Sequence, residues 1–300
     1  MSVLVPYALD EALAHLALHP DATVLAGGTD LMVELNAGHR RPTGVLCVNR
    51  VRELRTWLHD SVTGVLTIGA AITYAELAEE PLATLVPALA QAARTVGSPQ
   101  IRNAATIGGN VGTASPAGDG LPVLAALDAV VHIAAVDGVR DVAFGDFAVA
   151  PKRTVLRPGE LITAITVPVL TGYQGYSKVG VRNAMVIATA SACLAVDTPS
   201  RSVRLALGSV GPVIIRASEA EAIVDGGADF DRRAVPADVA AAFAAAAVAA
   251  ARPIDDHRST AAYRRHAIGV LAARLLARAF PGPATPGDAS RAGASGGGLS

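Results

Sequence analysis

Apolar residues Leu13, Leu16 and Ala17 recur at helical spacing between residues 10 and 18. Residues 22–25 then form a short buried strand that stops abruptly at Gly27-Gly28-Thr29-Asp30. Leu31, Val33 and Leu35 continue as a helical turn or a second extended piece, and residues 45–48 are another buried strand. The pattern predicts a small β-α-β layer over about 1–55, with its glycine-rich turn facing outward.

From 56 to 170 the pattern changes. Residues 65–68 and 70–72 read as strand, and Thr73 opens a short helix through Leu77. Pro81 lies near the start of a longer predicted helix carrying Leu82, Leu85, Leu89, Ala92 and Ala93, which Gly97-Ser98-Pro99 ends. A second glycine turn, Ile107-Gly108-Gly109-Asn110, precedes Ser115-Pro116-Ala117-Gly118-Asp119. A helix is predicted over 121–127 and strands over 129–134 and 161–167. Beyond 171, strands at 188–196 and 203–210 pair across a turn at 197–201. Ser218 and Glu221 have capping-box spacing, Pro236 starts an alanine-rich helix, and Ser259 or Thr260 caps a last one. Residues 281–300 are low in complexity and are expected to lack fixed structure.

Composition narrows the functional classes. The 300 residues are 51% hydrophobic with a net charge of −1, so nothing invites nucleic acid or an anionic membrane surface. Only Lys152 and Lys178 are lysines among 25 basic residues, which singles both out. Cys47 and Cys193 cannot ligate a four-cysteine cluster or build a disulfide framework, and they suit a reducing cytoplasm. The N-terminus lacks a basic signal-peptide region, and no apolar run reaches the ~18 residues of a membrane helix, so no membrane insertion is expected. The seven histidines form no metal-ligand motif, and no nucleophile stands beside a paired base.

One glycine pair alone is an ordinary turn. Two such turns, each after a buried apolar stretch, can bring main-chain N–H groups close to phosphate oxygens. Thr29, Thr106, Asn110, Thr113 and Ser115 add side-chain donors, a set that suits a dinucleotide pyrophosphate. Neither a GxGxxG fingerprint nor a GxxxxGK[ST] loop is present.

LAGGTDLMVEL (25–35) and QIRNAATIGGNVGTASPAGDGLPVLAALDA (100–129) resemble the FAD subunit of the xanthine dehydrogenase and carbon monoxide dehydrogenase family. GYSKVGVRNAMVIATASACLAV (175–196) and DDHRSTAAYRRHAIGVLAARLL (255–276) are similar to that family's C-terminal domain. The resemblance implies an α+β protein. A two-part FAD-binding region of the vanillyl-alcohol oxidase (PCMH) type would span 1–170, in sub-parts of about 1–55 and 56–170. A C-terminal α+β domain with a small antiparallel sheet and helices would span 171–280.

By the same resemblance, Ala26, Gly27, Gly28, Thr29, Asp30 and Leu31 form the first pyrophosphate turn. Thr106, Gly108, Gly109 and Asn110 form the second, with contacts from Thr113 and Ser115. Asp119 matches an acidic residue near the flavin ring, Lys178 a lysine from the C-terminal domain, and Tyr176 a position where an aromatic covers the ring. The alternatives are that Asp119 is a helix N-cap before Leu121 and that Lys178 is a solvated strand end, while Arg102 fits a surface residue and a partner contact equally. A branched residue at Gly28 or Gly108 is expected to expel FAD from an intact fold.

The implied function is electron transfer within a complex. A molybdopterin-containing large subunit would hydroxylate the substrate, and a small subunit with two [2Fe–2S] clusters would feed electrons to FAD. NAD+, a quinone or oxygen would accept them. No catalytic residue or metal is expected in this chain, which also lacks the cysteine-rich loop of some relatives. Two alternatives are a stand-alone flavin oxidase of the same superfold and a flavin-free scaffold subunit.

Overall fold

The structure is a computed structural model that describes residues 2–282; the low-complexity segment expected at 281–300 lies outside it from residue 283 onward. The first unit comprises β1 (Ser2–Leu4), α1 (Leu9–Leu18), β2 (Thr23–Leu25), α2 (Leu31–Asn36) and β3 (Gly44–Cys47). Its sheet has the order β1-β3-β2 with both pairings parallel. Leu13 and Leu16 of α1 are buried with Leu46 and Val48 as the helical spacing indicated, but Ala17 is exposed and Ala12 completes the buried face in its place.

The second unit carries β4 (Trp57–Asp60), β5 (Val65–Gly69), α3 (Tyr74–Leu77), α4 (Leu82–Leu85), α5 (Pro87–Thr95), α6 (Pro99–Ala104), α7 (Ile107–Thr113) and α8 (Leu121–Ala126). It continues with β6 (Val130–Ala135), β7 (Gly138–Ala143), α9 (Phe144–Phe147), β8 (Ala148–Ala150), β9 (Arg153–Thr154) and β10 (Leu161–Pro168). An antiparallel sheet of order β4-β5-β10-β6-β7 backs the helices, burying Leu66, Ile68, Val131, Ile133, Ile165 and Val167. Thr73 caps α3 in a complete capping box with Glu76. The single long helix expected after Pro81 is two helices. Val86 lies outside helical geometry and Pro87, which supplies no N–H, restarts the chain as α5.

In the third unit, β11 (Gln174–Val179), β12 (Ala190–Asp197), β13 (Ser202–Gly208) and β14 (Ile215–Arg216) form an antiparallel sheet in that order. Helices α10 (Ser218–Gly227), α11 (Ala237–Ala250) and α12 (Ala261–Ala279) cover one face. β12 is buried on both sides: Ala190, Ala192, Leu194 and Val196 face these helices, while Cys193 and Ala195 join the core of the second unit. Thr260 caps α12, its side chain accepting from the N–H of Tyr263. The expected capping box at Ser218 does not form. α10 starts at Ser218 itself, and the Glu221 carboxylate accepts instead from the Leu205 N–H and the Arg216 guanidinium.

The mixed helix-and-sheet architecture is the α+β class expected from the sequence.

Candidate functional site

A cleft of about 720 Å³ runs between the first two units, and residues 185–187 of the third reach its wall. The loop after β2 forms one side. Residues Ala26 to Leu31 all line the cleft. Among the described residues, the N–H groups of Gly27, Gly28, Thr29, Asp30 and Leu31 donate to no protein acceptor. Gly28 holds φ +73, the left-handed region that glycine tolerates, and its carbonyl accepts from Met32 as the chain turns into α2. Five successive main-chain donors beside a cleft make a concavity suited to an anion.

The main-chain N–H groups of the second turn are disposed differently from those of the first. Gly108 and Gly109 are the first turn of α7, which Thr106 caps. The N–H of Ile107 donates to Ile72, that of Gly108 to Ala70, and those of Gly109 and Asn110 to the Thr106 hydroxyl and carbonyl. All four are consumed within the protein. Thr106, Gly108, Gly109, Asn110, Thr113 and Ser115 nonetheless line the cleft. There the Asn110 Nδ2 and the Thr113 and Thr29 hydroxyls donate to no acceptor among the described residues. Asn110 is aimed by its own Oδ1, which accepts from the Tyr74 hydroxyl at 2.6 Å.

Asp119 also lines the cleft, whereas Tyr176 and Lys178 do not; they stand one layer behind it. The Tyr176 hydroxyl donates to Asp119 Oδ1 and the Lys178 ammonium to Asp119 Oδ2, each at 2.7 Å. Burial pushes the Asp119 carboxyl up, and the Lys178 ammonium and the Tyr176 hydroxyl oppose that shift. Burial, and then the Asp119 charge, push the Tyr176 phenol up. Asp119 is therefore no helix N-cap; α8 begins after Gly120 without a side-chain cap. Lys178 is no solvated strand end, its side chain being 8% exposed. Tyr176 presents its hydroxyl to Asp119 from inside the core and does not cover the cleft. Arg102 spends its guanidinium on the carbonyls of Val96 and Gly97, fixing the turn into α6.

Sequence reasoning missed part of the wall. Val96, Ile101, Met185, Val186 and Ile187 form an apolar stretch beside Asp119. Elsewhere Glu34, Arg40 and Lys152 line it, and the Lys152 ammonium meets Glu34 Oε1 at 2.7 Å. That hydrogen bond and charge hold the Glu34 carboxyl below its ordinary range. The scarcity of lysine was the available signal for Lys152; the apolar loop gave none. Among the described residues, no histidine lines the cleft and no group of three metal-ligating side chains converges.

Two family models match the chain: the FAD binding domain in molybdopterin dehydrogenase over residues 1–170, and the CO dehydrogenase flavoprotein C-terminal domain over 176–279. The medium chain of glyceraldehyde dehydrogenase from Sulfolobus acidocaldarius is 36% identical over 267 residues, 88% of this chain and 92% of that one. A putative xanthine dehydrogenase FAD-binding subunit of Escherichia coli is 34% identical over 222 residues, 71% of this chain and 75% of that one. Among solved structures, a chain of carbon monoxide dehydrogenase from Hydrogenophaga pseudoflava superposes with a TM-score of 0.86 at 28% identity, covering 95% of this chain and 98% of that one.

Proposed function

The chain belongs to the family of FAD-binding medium subunits of molybdenum hydroxylases, and from that premise we propose that it relays electrons between partner subunits and an external acceptor through FAD held in the cleft. The observation that carries this reading is the run of five main-chain donors from Gly27 to Leu31, which matches the anionic pyrophosphate of a dinucleotide. Asn110, Thr113 and Thr29 supply further donors, and Ser115 stands beside them. The apolar stretch of Val96, Ile101, Met185 and Ile187 offers the flavin ring a surface that excludes water, with Asp119 at its margin. FAD supplies a carrier that takes electrons singly and gives them up in pairs. The chain's own residues bind it, orient it and set the charge around it.

The relatives are named as medium chains or FAD-binding subunits, each one chain among several. We accordingly assign the large partner a molybdopterin centre and the small partner two [2Fe–2S] clusters, with NAD+, a quinone or oxygen as acceptor. The division at 170/171 is the domain reading we retain, and the two free thiols favour the cytoplasm. No helix among the described residues is long and apolar enough to cross a membrane.

Among the described residues no histidine lines the cleft, which supports a non-covalent attachment. Acid precipitation of the purified yellow chain is expected to release all flavin into the supernatant, identified as FAD by chromatography. A colourless chain that FAD does not stabilise would end this reading.

A further inference from the structure

Alternate residues of a strand share a face, and Gln174, Tyr176 and Lys178 of β11 share one. From that face Tyr176 and Lys178 reach across to the second unit and converge on Asp119. The two other protons of the Lys178 ammonium go to the carbonyls of Thr95 at 2.9 Å and Val186 at 3.1 Å. An ammonium has three donors, so none is left for a ligand. A carboxylate has about four lone-pair sites, and Asp119 has given up two. Asp119 is also the member of this trio that lines the cleft. Tyr74 of α3, uncharged and buried, is the other titratable group close enough to feel it. A ligand in the cleft therefore meets the carboxylate first, with the ammonium acting from behind.

We propose that Tyr176 and Lys178 are positioning residues that fix the Asp119 carboxylate at the cleft wall and, through it, set the reduction potential of the flavin bound there. The inference rests on the cleft being the FAD site. A negative charge beside the ring disfavours the electron-rich reduced form, and a positive charge favours it. In the intact trio the two charges largely offset one another. Removing Asp119 leaves the ammonium unopposed, while removing Lys178 leaves the carboxylate unopposed. The two losses must shift the potential in opposite directions. A mere loosening of the contact between β11 and the second unit would shift both the same way.

The test uses the full chain loaded with FAD. Bound FAD is counted after acid release, and the midpoint potential is titrated for wild type, Asp119→Asn, Lys178→Gln and Tyr176→Phe. Alkaline buffer keeps an unpaired Asp119 ionised. Asp119→Asn is expected to raise the potential and Lys178→Gln to lower it, each by a tenfold change in the reduction equilibrium, about 30 mV for a two-electron couple. Tyr176→Phe keeps every charge, removes one donor from the carboxylate, and is expected to lower the potential by less; it carries the test if a charge variant fails to fold. Shifts of the same sign in Asp119→Asn and Lys178→Gln, or none in variants that retain FAD, overturn the proposal. A wild-type chain that holds no FAD is a separate result and defeats the cofactor reading instead.

Discussion

Gly27 and Ala104 meet backbone to backbone: a Cβ on Gly27 would fall 1.8 Å from the Ala104 carbonyl oxygen. Gly27 begins the loop of free donors, and Ala104 ends α6, two residues before Thr106 caps α7. The two halves of the cleft are thus pinned together by a contact that excludes any side chain. Gly108 does the same against Ala70, whose Cβ would lie 2.5 Å and carbonyl oxygen 2.7 Å from an added methyl.

Gly27→Ala and Gly108→Ala are therefore expected to lower the melting temperature, each by the equivalent of about 1–3 kcal/mol of overpacking. This replaces the expectation that a substitution at Gly108 expels FAD from an intact fold. Gly112→Ala is the control, because its Cβ would approach only Ile162 Cδ1 at 3.6 Å. At the penultimate residue of α7, it is expected to leave the melting temperature close to wild type, with a gain of at most about 0.5 kcal/mol. Wild-type melting of Gly27→Ala or Gly108→Ala would show that the contacts relax freely.

Thr106 is 4% exposed, and its hydroxyl accepts the Gly109 N–H at 3.0 Å. Thr106→Ala removes that cap and is expected to cost about 1 kcal/mol in chemical denaturation, with Thr106→Ser recovering most of it. Equal losses for Ala and Ser would place the cost in the missing methyl instead.

The elements legible in the sequence are those whose faces are buried. α1, β3, β5, β10, β12 and β13 each carry an apolar run or helical period that burial explains, whereas β2, expected as a buried strand, buries Thr23 and leaves Val24 exposed at the sheet edge. β1, β4 and β7 went unread because edge exposure removes the signal: Ser2–Leu4 is exposed throughout, and so are Leu58 and Val139. Gly27-Gly28 and Gly108-Gly109 look alike as text. Only the path of the chain leaves the first loop's N–H groups free and spends the second's on Ile72, Ala70 and Thr106. The tertiary competition for Glu221, which Arg216 and Leu205 win over Ser218, is equally invisible to spacing.

Lys152 and Glu34 join the β8–β9 turn to α2 across the cleft, and the Lys152 N–H is tied to the carbonyl of Ala114 at the end of α7. The pair is substantially exposed, so Lys152→Ala is expected to change stability by less than about 1 kcal/mol. It is expected to speed FAD release severalfold in a chase with apoprotein, because a strap over the cleft is lost. An unchanged release rate would leave the pair a surface ornament.

Burial tends to raise the Asp256 carboxyl, but the N–H groups of Arg258 and Ser259 and the Arg264 guanidinium hold it down to about 2. Arg264 is 4% exposed and also donates to the carbonyls of Thr189 and Ser209, so this pair anchors the start of α12. A carboxyl depressed below its usual 3.8 contributes stability that is complete above that value and disappears as pH falls through about 2. Discounted for partial exposure, the contribution is on the order of 1 kcal/mol. Asp256→Asn is expected to flatten the pH dependence of stability between those limits; an acid limb as steep as wild type would assign it to other carboxylates.

The last prediction concerns dependence on partners. The loop carrying Met185 and Ile187 lines the cleft, and Val181, Met185 and Ile187 are 68%, 56% and 51% exposed. Apolar side chains held in solvent beside the proposed flavin site suit coverage by another protein. Arg182 keeps the loop in shape by donating to the carbonyls of Ala184 and Met185. A permanent complex would bury about 1,600 Å² or more. The proposed relay places oxidation of the organic substrate on a partner subunit, and no group of metal-ligating side chains converges among the described residues. Expressed alone, the chain is expected to bind FAD and to leave it oxidised when a purine, aldehyde or aromatic N-heterocycle is added. Co-expressed with molybdenum and iron–sulfur subunits, it is expected to show substrate-dependent bleaching of the flavin, and Met185→Asp is expected to weaken retention of the partners while FAD stays bound. Bleaching by the lone chain would refute the relay and restore the stand-alone oxidase.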